Sequence, residues 1–214
     1  MAQSHLQKGV SALEDTMKFA AHVLASLSLG SEHGSRSEAI VVFPGKHQLW
    51  RVETGIRVWS TRGASRLWIA ATAGDPLYTR QDILDLIKKV AGANHRYLDG
   101  DVECGGFANI TPDQAKWVLE LLKANPEVTN LVMVTALYHL PRTILTCLKQ
   151  MILQERFARI QALPVMQGPK FDDPDGLVEI RKIPEYQAKG DIATQKEWER
   201  CLPRIQGLHR PTAQ

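Results

Sequence analysis

The segment Val134 to Arg142 (VTALYHLPR) contains the group of residues best suited to chemistry. It continues an apolar run and supplies, within eight residues, Thr135, Tyr138, His139 and Arg142. An arginine can hold a phosphate or carboxylate through two donors, and a histidine can transfer a proton near neutral pH. His139 and Arg142 are three positions apart, so they share a face if a helix begins here. We therefore predict a ligand site with His139 as a catalytic residue; a structural histidine is the alternative.

Two earlier loops that contain glycine also follow predicted strands. Gly45 and Lys46 come directly after an apolar run and precede a helix that contains Arg51, and Gly74 ends the next strand. Glycine lets the backbone approach a ligand closely, and a helix N-terminus favours an anion. We predict that these four residues bind the ligand, although two turns with solvated basic side chains would also explain them. Neither loop has the spacing of a Walker loop or a dinucleotide fingerprint.

A third loop joins an acidic strand end to a helix. A carboxylate at the end of a strand can face a ligand pocket, so Glu103 is predicted to accept a ribose hydroxyl or to act as a base. A surface position without a role is the alternative. Thr111 and Gln114 match a capping box, which by itself would explain both residues. Cys104 is interpreted as a structural thiol, because nothing in the sequence indicates a lowered pKa.

The rest of the sequence predicts the elements that position these residues. Apolar residues at helical spacing indicate helices, and short β-branched runs indicate strands. The helices are predicted at about 11–29, 48–62, 80–90, 111–124, 142–157 and 194–202, and the strands at about 39–43, 66–72, 97–103, 131–135 and 160–165. Turn residues predict irregular structure from 166 to about 190.

Strands and helices alternate through most of the chain, which predicts a parallel sheet with helices on both faces. Ligands bind such sheets outside the C-terminal ends of the strands, where the loops above would lie. We predict a single α/β domain over 1–214, with a leading helix at about 11–29, a core at about 38–165 and a C-terminal loop and helix at about 166–207.

The composition is that of a globular protein, with 44% hydrophobic and 23% charged residues among 214. The net charge of +3 is small, and basic residues are interleaved with acidic ones, which argues against nucleic-acid binding. Three widely spaced cysteines without a CxxC pair argue against a zinc ribbon, and we predict no metal site. Since no apolar run is long enough to span a bilayer, we predict a cytoplasmic protein without a membrane span.

Several of these segments together resemble the SanA/YdcF-like family, bacterial domains of largely unassigned function. The resemblance covers about 38–202, and its most specific part is 134–142, which follows the family pattern Val-Thr-Ser-x-Tyr-His-x-x-Arg. The other similar segments are 40–45 with Arg51, 72–74, Glu103, 111–115 (compared with Thr-x-Glu-Asn-Ala) and 183–202. On this resemblance, further ligand-binding residues are predicted at Thr111, Asp113 and Gln114.

The resemblance implies an α/β fold of a particular kind, a three-layer α/β/α sandwich with a mostly parallel, Rossmann-like sheet of about five strands. Some members are membrane-anchored and tied to envelope integrity, whereas a cytosolic branch has been associated with S-adenosylmethionine, which makes this cofactor a candidate ligand. This chain departs from the family where Pro44, Gly45 and Lys46 replace a glycine run and where Ala73 replaces a glycine. Both changes would narrow the phosphate-sized part of a pocket or change its charge.

The leading hypothesis is a site for a small anionic or nucleotide-like ligand. If the chain is an enzyme, group transfer or hydrolysis of a phosphate-containing substrate is the expected reaction class. Arg51 and Arg142 would then hold the anion while His139 or Glu103 transfers protons. The alternatives are a non-catalytic module that senses a cofactor and a protein-interaction module linked to envelope metabolism. The sequence identifies neither the ligand nor the oligomeric state.

Overall fold

The computed structural model describes residues 2–27, 38–45, 48–70, 79–92, 97, 100–105, 108, 110–167 and 174–207, with the backbone alone for 2–10 and 175. Its helices are α1 (Ala2–Ser26), α2 (Leu49–Arg62), α3 (Arg80–Ala91), α4 (Thr111–Ala124), α5 (Leu140–Leu153), α6 (Pro174–Lys189) and α7 (Gln195–Ile205). Its strands are β1 (Glu38–Val42), β2 (Arg66–Ile69), β3 (Val102–Cys104), β4 (Asn130–Ala136) and β5 (Arg159–Val165). Helices and strands alternate from β1 to β5, as the sequence predicts, and α6 follows β5.

The five strands form one all-parallel sheet in the order β3-β2-β1-β4-β5. Helices cover both faces, so the predicted α/β class and the three-layer, Rossmann-like arrangement are confirmed. The chain leaves β1 toward β2 on one side and later returns to place β4 on the other side. This reversal is the topological switch point, which opens a crevice at the C-terminal ends of β1 and β4.

Alternate residues of the central strand pack into two separate cores. Ile40 and Val42 face α2 and α3, whereas Val41 and Phe43 face the core built with α1, α4, α5, α6 and α7. A β-branched strand that is buried on both faces is typical of a parallel sheet. Gly55 brings α2 close to the sheet, because a Cβ atom at this position would collide with Val42 Cγ2.

The predicted irregular structure from 166 to about 190 is wrong, because α6 occupies most of it. Ile180 and Ile183 are buried three positions apart in the larger core, and this burial supports a helix despite the turn-forming residues. Pro184 lies inside α6 but is exposed, so its ring is accommodated at the cost of one backbone hydrogen bond. Helix α6 packs on α1 and α5.

Several predicted boundaries also differ from the structure. Helix α1 extends back to Ala2, α5 runs over 140–153 instead of 142–157, and β3 is only three residues long. Tyr97 is not part of β3; its ring packs beside Trp59, with ring centroids 6.0 Å apart. Such tertiary contacts have no signature in the local sequence pattern. Across the described part of the chain, no helix combines the length and apolar character needed to cross a bilayer.

Candidate functional site

A cavity of about 340 Å³ opens at the topological switch point. Its walls come from the loop after β1, from the first turns of α2, α4 and α5 with the residues just before them, and from one side of α6. A volume of this size is typical of a small-molecule site. The cavity therefore lies where a parallel sheet of this order is expected to bind its ligand.

Arg51 forms one wall of the cavity and is only 3% exposed. Its Nη1 donates to the carbonyl oxygen of Phe43 at 3.2 Å and to Thr135 Oγ1 at 2.8 Å, and its Nη2 donates to Tyr138 Oη at 2.9 Å. Thr135 in turn donates to the same Phe43 carbonyl at 2.9 Å. These bonds join β1, β4 and α2, so they fix the position of the guanidinium at the cavity.

Arg142 forms the opposite wall and is 8% exposed. Its Nε and Nη2 both donate to Glu179 Oε2, at 2.8 and 2.6 Å, and its Nη1 donates to Thr111 Oγ1 at 3.1 Å. The Nδ1 atom of His139 lies 3.2 Å from the same carboxylate oxygen. The Glu179 carboxylate, which comes from α6, thus contacts both His139 and Arg142 at the start of α5.

The protonation states of this group follow from its burial and charges. Burial lowers the pKa of His139 to about 4; the hydrogen bond with Glu179 opposes this shift, and the charges of Arg142 and Arg51 add to it. Burial alone would raise the pKa of Glu179, but its contacts with His139 and Arg142 hold that pKa well below its usual range. At neutral pH the site therefore contains a neutral imidazole and an ionised carboxylate.

The three helices that begin at the cavity share an unusual start. Their N-cap residues are Gln48 for α2, Ile110 for α4 and His139 for α5, and none makes a side-chain capping hydrogen bond. Away from the cavity, Thr79 caps α3 and Thr194 caps α7 through their side chains. The positive ends of three helix dipoles consequently meet at one cavity, where they favour a negatively charged group.

The capping box predicted at the start of α4 is wrong. The helix begins at Thr111 itself, so this hydroxyl is free to accept from Arg142. Gln114 is buried and donates from Nε2 to the carbonyl oxygen of Ala70 at 2.8 Å. Both side chains line the cavity instead of capping the helix.

Gly45 keeps the cavity open next to Arg51. A Cβ atom at Gly45 would lie 2.6 Å from Gln48 Oε1 and 3.2 Å from Arg51 Cζ. Gln48 Oε1 is buried and makes no hydrogen bond within the described part of the chain. A side chain at this position would therefore push the Gln48 amide and crowd Arg51, and both of these residues line the cavity.

The structure brings most of the predicted site residues together. Those that line the cavity are Gly45, Arg51, Thr111, Gln114, Tyr138, His139 and Arg142, and Thr135 lies behind them as a partner of Arg51. Lys46 and Gly74 lie outside the described residues. Glu103, half-buried on the edge strand β3, and the exposed Asp113 are not among the lining residues.

Sequence reasoning missed the acidic residue of the site. Glu179 comes from α6, a helix that the sequence was not predicted to form, and Tyr186 lines the cavity from the same helix. The Arg142 guanidinium lies over the Tyr186 ring, 5.2 Å from its centroid. The apolar spacing of Ile180 and Ile183 is the one local signal for this helix, and it does not indicate where Glu179 points.

Cysteine and metal chemistry find no support among the described residues. Burial raises the pKa of the Cys104 thiol to about 11, which agrees with its interpretation as structural. No cluster of three or more metal-ligating side chains occurs in the ranges that the structure describes. A scan of the chain against protein-family models finds no match, and a search of curated proteins finds none either.

Proposed function

We propose that this chain binds a small anionic or nucleotide-like ligand in the cavity at the C-terminal edge of the sheet. The observation that carries the proposal is that two buried arginines and three helix N-termini meet at this one cavity. Arg51 would bind the anionic group, because its guanidinium lines the cavity and is fixed there by three hydrogen bonds. S-adenosylmethionine is a candidate through its carboxylate, as are nucleotides and simple phosphates.

In the enzymatic form of the proposal, the chain catalyses group transfer or hydrolysis of a phosphate-containing substrate. His139 would exchange the proton, because it is neutral at working pH and lines the cavity beside both arginines. The carboxylate that contacts His139 is Glu179, and Glu103 does not line the cavity. The alternative is a module that binds the same ligand without converting it and signals through a partner.

Membership in the SanA/YdcF-like family belongs to this proposal, together with a bacterial origin and a cytoplasmic location. Its support is that the segment 134–142, the most specific part of the resemblance, contributes Thr135, Tyr138, His139 and Arg142 to one site. Envelope metabolism would be the setting for the alternative interaction role.

A thermal-shift panel tests the proposed function. Wild type is heated with S-adenosylmethionine, nucleotides, nucleotide-sugars or inorganic phosphate, and a ligand at about 100 times its Kd stabilises the fold by roughly 2.7 kcal/mol. Arg142→Ala is the variant, and Arg62→Ala is its matched control because Arg62 pairs with Glu38 at the other end of the sheet. Both variants lose a buried ion pair, but only Arg142→Ala should lose the ligand shift.

Two outcomes would contradict the proposal. One is the absence of a shift with every compound on wild type. The other is an equal loss of the ligand shift in Arg142→Ala and in Arg62→Ala, which would show that the shift reports on stability and not on the cavity. Recovery of a bound compound chemically unchanged after long incubation would favour the binding module over the enzyme.

A further inference from the structure

The contacts of His139 Nδ1 determine which ring nitrogen is left for the cavity. Nδ1 lies 3.2 Å from Glu179 Oε2 and 3.1 Å from Arg142 Nη2. An acceptor role toward Arg142 and a donor role toward Glu179 require opposite tautomers of a neutral imidazole. The two contacts therefore compete, and their geometry selects between them.

The geometry favours a proton on Nδ1. Arg142 Nη2 lies 2.6 Å from Glu179 Oε2, so the three atoms form a nearly equilateral triangle. Seen from Nη2, the directions to Oε2 and Nδ1 differ by only about 70°, which is narrower than the spread of the two N–H bonds of a planar guanidinium nitrogen. Nη2 cannot point both of its hydrogens straight at the two atoms, and its contact with Nδ1 is the longer of the two. An unprotonated Nδ1 would also direct its lone pair toward an ionised carboxylate oxygen only 3.2 Å away, which is unfavourable. Nδ1 is then best satisfied as a donor to Glu179.

Glu179 is itself held in place from three directions. Arg142 Nε donates to Oε2 at 2.8 Å, and Lys182 Nζ donates to Oε1 at 2.7 Å. The helix that carries it is anchored by Ile180 and Ile183, which are each 1% exposed. An ionised carboxylate that is fixed in this way can orient a histidine ring and set its tautomer.

We propose that Glu179 is a positioning residue that holds His139 in the form protonated at Nδ1, so that Nε2 offers its lone pair to the cavity. No hydrogen bond to Nε2 is formed within the described part of the chain. This inference rests on the proposed function and narrows its ligand class. The ligand carries an anionic group for Arg51 and also a hydroxyl or amino group that donates to Nε2.

In an enzyme, the same arrangement would use Nε2 as the proton acceptor. The O–H or N–H bond of the donor breaks as the proton moves to Nε2, and the ring becomes an imidazolium. The negative charge of Glu179 stabilises that cation through Nδ1–H. The tautomer is therefore set in the ligand-free protein, before a substrate binds.

Long-range ¹H–¹⁵N spectra of the histidine rings in the ligand-free protein test the tautomer. The chain has 7 histidines, so His139→Asn assigns the signals of His139 by their loss. We expect Nδ1 protonated and Nε2 unprotonated at neutral pH. The neutral amide of Glu179→Gln favours a proton on Nδ1 less than the carboxylate does. We therefore expect the proton of the neutral ring to move to Nε2 in this variant. Glu185→Gln is the matched control, because Glu185 is an exposed glutamate of the same helix, paired with Lys189.

A wild-type ring protonated at Nε2 would overturn the proposal, as would an unchanged Nδ1–H form in folded Glu179→Gln. If Glu179→Gln does not fold, the wild-type spectrum decides, and Glu179→Asp, which shortens the reach of the carboxylate, provides the second variant. These spectra need no ligand, so their result is independent of the thermal-shift panel.

The ligand class is tested with two probes that differ by one donor, ethyl phosphate and 2-hydroxyethyl phosphate. We expect the hydroxyl to strengthen binding to wild type by roughly threefold to tenfold, and this advantage to disappear in Glu179→Gln. Equal binding of the two probes to wild type would overturn the predicted donor. Failure of both probes and of inorganic phosphate to bind would contradict the proposed function while leaving the tautomer result intact.

Discussion

The two ends of the sheet use the same residue types for different purposes. At the N-terminal end, Glu38 is 1% exposed and is bound by Arg62 at 3.0 and 3.2 Å and by Asn130 at 2.8 Å. At the C-terminal end, Arg142 and Glu179 form a similar pair, but they border a cavity that Arg51 also lines. The first pair joins β1 to α2 and β4, whereas the second also contacts a histidine.

A buried arginine–carboxylate pair is therefore not by itself a sign of function. Glu38 and Arg62 are not among the residues that line this cavity, so we expect the pair at the N-terminal end to act on stability. At the C-terminal end, two of the described lining residues are arginines and one, Glu179, is a carboxylate, which leaves an excess of positive charge. Mutations at the two ends should therefore separate stability from binding.

The largest expected effect is on stability at the N-terminal end. Glu38→Ala leaves Arg62 without its carboxylate partner in a mostly buried position, which should cost about 3 to 5 kcal/mol of unfolding free energy. Urea denaturation measures this cost. Glu127→Ala is the control, because Glu127 is 51% exposed in its contact with Arg66 and should cost less than about 1 kcal/mol. Similar losses in both variants would refute the structural role of Glu38.

Acidification should weaken the fold through the C-terminal end. The pKa of His139 is about 4 in the folded chain and near 6.5 when unfolded, so only the unfolded chain gains this proton between those values. Stability therefore falls as pH falls through this window, by on the order of 2 to 3 kcal/mol for this residue. Below about pH 4.5 the Glu179 carboxyl takes up a proton in the unfolded chain but stays ionised in the folded chain. Stability therefore falls further as the pH falls.

Urea denaturation at a series of pH values measures this dependence. His139→Asn removes the titrating ring, so it should lose less stability than wild type between pH 6.5 and 4. The difference between the two proteins isolates His139 from the other histidines. Parallel curves for both proteins over this range would contradict the buried, neutral state of His139.

Two glycines of the same region should respond differently to a methyl group. Gly55→Ala forces the added Cβ against Val42 in the core and should cost about 1 to 3 kcal/mol of stability without weakening ligand binding. Gly45→Ala meets the end of the flexible Gln48 side chain, so its stability cost should stay below about 1 kcal/mol. Because its methyl group narrows the cavity beside Arg51, binding should weaken about tenfold.

Urea denaturation and a phosphate titration of both glycine variants measure the contrast. Weaker binding in Gly55→Ala, with unchanged binding in Gly45→Ala, would place the ligand away from the loop after β1.

The smallest effect is expected at Glu103. Its side chain is half-buried on the edge strand and does not line the cavity. Glu103→Gln should therefore change stability by no more than about 0.5 kcal/mol and leave ligand affinity unchanged. The same two measurements check this. A loss of affinity that matches that of Arg142→Ala would restore Glu103 as the acidic residue of the site.

Local pattern was sufficient for the sheet and for much of the site. Apolar runs predicted four of the five strands, whereas the third predicted strand, 97–103, overlaps β3 only at 102–103. The segment 134–142 predicted four residues of the cavity region because they lie at the end of one buried strand or just after it. The capping box predicted at Thr111 was wrong because the helix begins one residue earlier than the capping box requires, which frees the hydroxyl for Arg142. Such a shift by one residue is invisible in composition and spacing.

Glu179 could not be predicted for a different reason. Its contact with His139 spans 40 residues of sequence, and turn-forming residues including Pro184 obscured the helix that carries it. The sequence also predicts that Glu103 lies near the end of a strand, but it does not show that this strand lies at the edge of the sheet. Strand order and helix packing, which depend on the whole chain, decide which acid reaches the cavity.

The proposed anion site can be tested directly by titrating the ¹⁵N-labelled protein with inorganic phosphate at constant ionic strength and following its amide signals by NMR. We expect saturable shifts at the starts of α2, α4 and α5, where the amides of Leu49, Thr111 and Leu140 begin helices without a side-chain cap. The capped starts of α3 and α7 should not respond. Equal chemical-shift changes at all five of these helix starts would contradict an anion site at the cavity. So would the absence of saturable changes at the starts of α2, α4 and α5.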